Sequence, residues 1–245
     1  KKNRIIAHKQ LQQHNMDALV VIGGNGSLTG ASVFSHEFNI PVIGIPASID
    51  NDVFGTDYSI GYNTALETIV ESVDKIRDTA NSHNRLFFIE VMGRKSGNLA
   101  LNASLASGAC FVILPEKKFE LIDLVKRLED NKKRNKESSI VIVAEGNNYG
   151  PSYKIAEDLS KVYSAYESKV TILGHIQRGG KPTSFDRILA SQLGMAAIES
   201  LKLKKYNTLV GLVNNSLINL PISEVINSTN QLSSDLYRLN KIISR

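Results

Sequence analysis

The chain is expected to fold as a parallel α/β protein. Three observations carry that expectation. Short apolar runs rich in β-branched residues recur along the sequence, segments with helical spacing separate them, and four of the runs end in loops dense in glycine and polar residues. Strands that alternate with helices build a parallel sheet, because parallel neighbours need a crossover long enough to hold a helix.

The elements follow in order. Ile5 to His14 has helical spacing. Ala18–Ile22 reads as a strand, and Gly23-Gly24-Asn25-Gly26-Ser27 follows it directly. A helical pattern then runs from Leu28 to Ser35. Strand, glycine-rich turn and helix make a phosphate cradle, since glycines allow close backbone approach and a helix N-terminus offers free N–H groups. The same residues also suit a tight βα turn that needs positive φ. Val42–Ile45 reads as the next strand, and Pro46-Ala47-Ser48-Ile49-Asp50-Asn51-Asp52 closes it. If that loop is extended, Asp50 and Asp52 share a side-chain direction. One carboxylate could then take a proton while the other helps hold a metal; an Asx-rich surface turn is the alternative.

Helical spacing returns at Ala65 to Asp78, and Leu86–Val91 reads as a strand that leads into Glu90-Val91-Met92-Gly93-Arg94-Lys95-Ser96-Gly97. Leu99 to Ser107 reads as helix, Cys110–Leu114 as strand, Leu121 to Leu128 as helix and Ile140–Ala144 as strand. Val170–Leu173 is a strand whose end carries Gly174-His175-Ile176-Gln177-Arg178-Gly179-Gly180. Arg forks onto phosphate oxygens and His adds a donor, so this loop suits a sugar phosphate; a buried, satisfied His and a surface Arg are the alternative. Ile188 to Leu201 and Leu236 to Ile243 read as helices, with a strand at Thr208–Leu212.

Composition narrows the function classes. The 245 residues suffice for one large domain or two smaller ones, and 42% are hydrophobic. One cysteine, Cys110, excludes a disulfide framework and fits a reducing compartment. No apolar run approaches the roughly 20 residues that span a bilayer. No secretory signal opens the sequence, so a cytoplasmic location is expected. The net charge of +5 is compatible with anionic ligands. The densest basic run, Lys132-Lys133-Arg134-Asn135-Lys136, reads as a solvated helix end, with an anion site as the alternative; it has no interleaved aromatics, so it does not read as a nucleic-acid surface.

Taken together, the motifs resemble the 6-phosphofructokinase family. The residues that carry the resemblance are Gly23-Gly24-Asn25-Gly26-Ser27, Ile45 to Asp52, Glu90-Val91-Met92-Gly93-Arg94, Val143-Ala144-Glu145-Gly146, Leu173 to Gly180 and Phe185 to Ser191. They stand in family order across roughly residues 4 to 215. The resemblance implies two Rossmann-like lobes with largely parallel sheets flanked by helices. A nucleotide-binding lobe would comprise 1–61 plus 177–227, and a fructose 6-phosphate-binding lobe 62–176 plus 228–245. Family members carry about one further pair of βα units ahead of this sequence, so it is expected to be a fragment.

The implied reaction is phosphoryl transfer from ATP, with Mg2+, to the 1-hydroxyl of fructose 6-phosphate. Asp50 matches the general base, Asp52 the carboxylate associated with magnesium, Ser48 a hydroxyl near the transferred phosphate, and Arg94 the arginine that stabilises its charge. Met92, Gly93 and Glu145 match fructose contacts, and His175 and Arg178 match ligands of the 6-phosphate. Arg85 matches a 6-phosphate ligand donated by a neighbouring subunit, which implies a homo-oligomer, with a tetramer expected. Gly23, Gly24, Asn25, Gly26, Ser27 and Gly30 match the nucleotide loop. The small residues Gly26 and Ala47 leave room for ATP where pyrophosphate-dependent members carry Asp and Lys.

Three positions depart from the family pattern. Asn25 replaces an aspartate, so it can offer magnesium an amide oxygen but no charge. Lys169 replaces a second arginine that reaches across the subunit boundary. Cys110 replaces a glutamate of the bacterial effector site, although Arg77, Arg134 and Lys136 match its basic residues. The alternatives are a catalytically weak regulatory subunit, a pyrophosphate-dependent enzyme, a kinase of NAD or a lipid, and a plain nucleotide-binding module.

Overall fold

The computed structural model describes residues 2–80, 85–134 and 140–244. In chain order the elements are α1 (Lys2–Gln13), β1 (Leu19–Gly23), α2 (Asn25–Phe38), β2 (Val42–Pro46), α3 (Tyr62–Ala80), β3 (Arg85–Val91), α4 (Asn98–Ser107), β4 (Phe111–Ile113) and α5 (Leu121–Lys133). Then follow β5 (Ile140–Ala144), α6 (Ser152–Val162), β6 (Glu167–Ile172), a 3-10 turn (Gly174–Arg178), α7 (Ser184–Lys202), β7 (Thr208–Val213), β8 (Ser216–Pro221), α8 (Ile222–Asn227) and α9 (Ser234–Ile243). The chain divides into two compact units, Lys1–Tyr62 with Pro182–Asn230, and Asn63–Lys181 with Gln231–Arg245.

The first unit holds a sheet of order β1-β2-β7-β8. β1, β2 and β7 are parallel, and β8 returns antiparallel to β7. All five residues of β2 are buried, as a strand covered on both faces must be. On one face Ile43, Ile45, Val210 and Leu212 pack against Leu189, Leu193, Ala196 and Ala197 of α7. On the other, Val42 and Leu209 meet Leu28 and Ala31 of α2 and Ile222 and Val225 of α8. Gly211 is dictated by space: a Cβ there would lie 2.1 Å from the Gly55 carbonyl oxygen, where the loop after β2 crosses β7. α1 buries no residue. It rests on α2 through the Arg4–Glu37 ion pair at 2.7 Å and a His8–Phe38 ring stack at 4.4 Å.

The second unit holds an all-parallel sheet of order β4-β5-β3-β6. Its core joins Leu86, Phe88, Val141 and Val143 of the sheet to Leu124 and Leu128 of α5 and Ile155 and Leu159 of α6. α4 buries residues around much of its circumference, Leu99, Ala100, Leu101, Ala103 and Ser104 among them. Asn240 of α9 donates to Ser104 Oγ at 2.8 Å, which ties the last helix to α4.

The α/β class and the largely parallel sheets agree with the sequence reading, and two kinds of difference have physical causes. β8 went unread because its signal lies in the turn. Asn214 and Asn215 both adopt positive φ, 49° and 60°, the backbone of the tight hairpin turns that suit strand twist. α6 went unread because its apolar face is short, and burial of Ile155, Ala156 and Leu159 against the sheet stabilises it. The basic run does end a helix. Lys132 and Lys133 occupy the last turn of α5, exposed, where cations offset the helix dipole. Lys136 lies outside the described residues.

Candidate active site

In the first unit two strand-end loops converge. β1 and β2 run parallel, with Gly23 paired to Pro46, so the loops that follow them emerge side by side. The Ala47 N–H donates to the Gly23 carbonyl at 3.1 Å. Gly24 is the extended N-cap of α2, with no side-chain cap. The first N–H groups of that helix are therefore available to an anion. A Cβ at Gly26 or Gly30 would meet nothing within 4 Å, so the space beside the loop is open.

Asp52 links the two loops. Its Oδ2 accepts from Asn25 Nδ2 at 3.0 Å and its Oδ1 accepts from Ser48 Oγ at 3.4 Å. Ser48 Oγ in turn accepts the Asp50 N–H at 3.3 Å. Asp50 is only 8% exposed. The extended-loop premise for Asp50 and Asp52 does not hold. Asn51 between them sits in the left-handed region at φ 49°, and its side chain braces the turn, donating to the Asp57 carbonyl at 2.9 Å and accepting the Ser59 N–H at 2.7 Å. The two carboxylates thus have separate environments, Asp50 buried and Asp52 bonded to Asn25 and Ser48. Ser59 was not singled out from sequence, and Asn51 was quoted in its motif without this bracing role; an Asn between two aspartates, tolerant of positive φ, is the signal that marks such a turn.

The expected magnesium site can be tested on its donors. Among the described residues no group of three His, Cys, Asp or Glu side chains could hold a metal. A single carboxylate flanked by Asn25 and Ser48 nevertheless fits Mg2+, which is commonly bound by one or two carboxylates, substrate phosphates and retained water.

In the second unit the Met-Gly-Arg and His-Ile-Gln-Arg segments meet. Buried Gln177 accepts the Met92 N–H at its Oε1, 3.0 Å, and donates from Nε2 to the Gly174 carbonyl at 2.8 Å. That clamp sets the 3-10 turn that exposes His175 and Arg178. Gln177 went unmarked because an amide in a polar loop carries no chemistry of its own. Gly93 has φ 142° and Arg94 φ 52°, a left-handed arginine that must be held from outside. Glu145 holds it, accepting the Arg94 N–H at 2.9 Å. Gly146 lets the segments close, since a Cβ there would lie 1.6 Å from the Arg94 carbonyl oxygen.

Arg85 and Lys169 come together on β3 and β6. Arg85 pairs with Glu167 in the parallel ladder, and Glu167 accepts from Arg85 Nε at 3.1 Å and from Lys169 Nζ at 2.5 Å. Lys169 and then Arg85 hold the Glu167 carboxyl below the usual carboxylate range.

Other parts of the motifs are structural. Glu90 accepts both the N–H and the hydroxyl of Ser152, at 2.9 and 2.8 Å, and so anchors the start of α6. Asp186 accepts the Gly61 N–H at 3.0 Å, and its own N–H is capped by Thr183. Cys110 faces the core and donates to the Ile140 carbonyl at 3.1 Å; burial pushes its thiol up to about 12. It offers nothing to an effector. Arg77 donates to the Ser107 carbonyl. Arg134 lines a basic cleft of about 530 Å³ with Lys117, Lys126, Arg127, Tyr237 and Lys241. No described helix is long and apolar enough to cross a membrane.

The family model described as Phosphofructokinase matches residues 1–201. An ATP-dependent 6-phosphofructokinase 2 of Bacteroides thetaiotaomicron is 47% identical over 243 residues, covering 99% of this chain and 74% of that protein. An ATP-dependent 6-phosphofructokinase of Listeria monocytogenes is 47% identical over 236 residues, covering 96% of this chain and 73% of the relative. Among solved structures, phosphofructokinase from Saccharomyces cerevisiae superposes with a TM-score of 0.85 at 31% identity over 91% of this chain. The match spans 34% of the yeast chain, about a third of its length. A pyrophosphate-dependent phosphofructokinase from Marinobacter aquaeolei shares the fold, with a TM-score of 0.76 at 22% identity over 91% of this chain and 63% of that one.

Proposed function

The chain belongs to the phosphofructokinase family, and we propose from that premise that it transfers the terminal phosphoryl group of ATP to the 1-hydroxyl of fructose 6-phosphate. The carrying observation is the network that joins Asn25, Asp52, Ser48 and Asp50 at the ends of two adjacent parallel strands. Strand ends of this kind are where α/β sheets bind ligands.

The residues of each unit have their own roles in this reading. In the first, the glycine loop and the free N–H groups of α2 take the nucleotide phosphates. Asp50 accepts the proton of the sugar hydroxyl as the oxygen attacks phosphorus. Ser48 donates its hydroxyl near the transferred group. Asp52, with Asn25 beside it, would hold Mg2+, which when bound offsets the charge of the phosphates. In the second unit Arg94 is the arginine that stabilises charge on the transferred phosphoryl group, an electrostatic contribution that can dominate such reactions. Met92, Gly93 and Glu145 take the sugar, and His175 and Arg178 bind its 6-phosphate. Arg85 and Lys169, on the edge strand β6 and its neighbour, serve the 6-phosphate of an adjacent subunit in a homotetramer. The open space beside Gly26 and the small Ala47 favour ATP over pyrophosphate.

The test is product formation by purified protein with fructose 6-phosphate and Mg2+, with ATP and pyrophosphate in parallel. Product with ATP alone supports the reading, and product with pyrophosphate alone overturns the donor assignment. A second reading, a catalytically weak regulatory subunit, draws on the Asn25–Asp52 hydrogen bond, which engages the carboxylate expected to hold Mg2+. Binding of fructose 6-phosphate without turnover would support it.

A further inference from the structure

Glu167 belongs to no motif of the sequence, yet it hydrogen-bonds both Arg85 and Lys169. The contact follows from the ladder. Glu167 stands opposite Arg85 across the β3–β6 pair, and Lys169, two residues along β6, falls on the same face. Each carboxylate oxygen serves one cation, Oε2 taking Arg85 Nε at 3.1 Å and Oε1 taking Lys169 Nζ at 2.5 Å. The strand order places β6 at the edge of its sheet, and the Glu167 side chain is 55% exposed.

We propose that Glu167 is an internal counter-ion that competes with the sugar's 6-phosphate for Arg85 and Lys169 and thereby sets the affinity for fructose 6-phosphate. The inference rests on the reading of Arg85 and Lys169 as ligands of that phosphate. With Glu167 in place the three side chains carry a net charge of +1; without it the two cations present +2. A phosphate dianion supplies several acceptor oxygens and a stronger charge, and an arginine fork suits it well. Binding transfers the donors from carboxylate to phosphate. The carboxylate then turns to water at small cost, because exposed ion pairs contribute little. What persists is repulsion between carboxylate and phosphate, which salt screens over about 8 Å at physiological ionic strength.

The experiment compares wild type with Glu167→Gln, which keeps the shape and removes the charge. KM for fructose 6-phosphate should fall about three- to fivefold at low ionic strength, and the gap should narrow as salt is added. kcat and the KM for ATP should stay within about twofold. A merely structural role would not give a salt-dependent fall in one KM alone. Equilibrium titration of fructose 6-phosphate into both proteins, with sedimentation to check assembly, separates affinity from folding. A KM or Kd that is unchanged or raised in a folded, assembled variant overturns the proposal. A wild-type protein that neither binds nor phosphorylates fructose 6-phosphate overturns the kinase reading, and the role of Glu167 with it.

Discussion

Replacing Gly146 by alanine should disable Arg94 without unfolding the protein. Gly146 has no positive φ among the strained positions, so only space forbids a side chain there. The added Cβ would lie 1.6 Å from the Arg94 carbonyl oxygen and 2.7 Å from its carbonyl carbon. A relaxed carbon–oxygen contact is about 3.3 Å or more, so one backbone must move by on the order of 1.5 Å. The Arg94 segment is the one that gives, because its φ of 52° is held by the Glu145 carboxylate at 2.9 Å, and that bond breaks as the strands part. A misplacement of about 1 Å in a group that meets the transition state can cost on the order of 100-fold in rate. Overpacking costs about 1–3 kcal/mol, against a typical stability of about 5–15 kcal/mol. The assay is kcat with ATP and fructose 6-phosphate, alongside thermal unfolding. Gly194→Ala is the control: its Cβ meets nothing within 4 Å on α7, so it should melt no lower than wild type. A folded Gly146→Ala protein with turnover within threefold of wild type would refute this account of the turn.

Four further outcomes follow from the same contacts. Asp50→Asn should abolish turnover while leaving fructose 6-phosphate binding intact by titration; unchanged turnover would remove Asp50 as the base. Asn25→Asp sets a second carboxylate where the amide now lies 3.0 Å from Asp52, so melting should fall by a few degrees without Mg2+ and recover with Mg2+ and ATP; equal melting in both conditions would place the metal elsewhere. Gln177→Ala orphans the Met92 N–H and frees the 3-10 turn, so KM for fructose 6-phosphate should rise about tenfold, with the KM for ATP as the unaffected control. Native Cys110 should resist thiol reagents at pH 8 and react once unfolded. Its thiol is raised from 9.0 to about 12, so it stays protonated in the fold while the unfolded thiol ionises. The stability it contributes is present below about pH 9 and is lost as pH rises toward 12. Labelling of the native protein at the unfolded rate would contradict its burial.

Recovery from sequence differed by element. The central strands were plain because full burial makes continuous apolar runs: Val42–Pro46 and Ile140–Ala144 are buried at every residue. The hairpin to Ser216–Pro221 was not, since its edge strand alternates exposed and part-buried residues and its mark is the Asn214-Asn215 turn. Among the expected site residues, Asp50, Asp52, His175 and Arg178 could be put forward from their chemistry, the others only through the family resemblance. Gln177, Asn51, Glu167 and Gly146 could not. Each acts through another residue, and such a role exists only once distant segments meet.

The sequence by itself determined the alternation of strand and helix, the strand-end placement of the polar loops and the family to which the chain belongs, because these depend on local periodicity and on residue types within short windows. Tertiary structure alone decided how those residues are held. Asp50 became buried and Asp52 bonded to Asn25 because Asn51 turns left-handed between them. Glu90 became an anchor for α6, Cys110 a core residue, and Glu167 the shared partner of Arg85 and Lys169. The physical reason is range. A hydrogen bond or a steric limit acts over about 3 Å, and chain separation along the sequence does not reveal which atoms the fold brings that close.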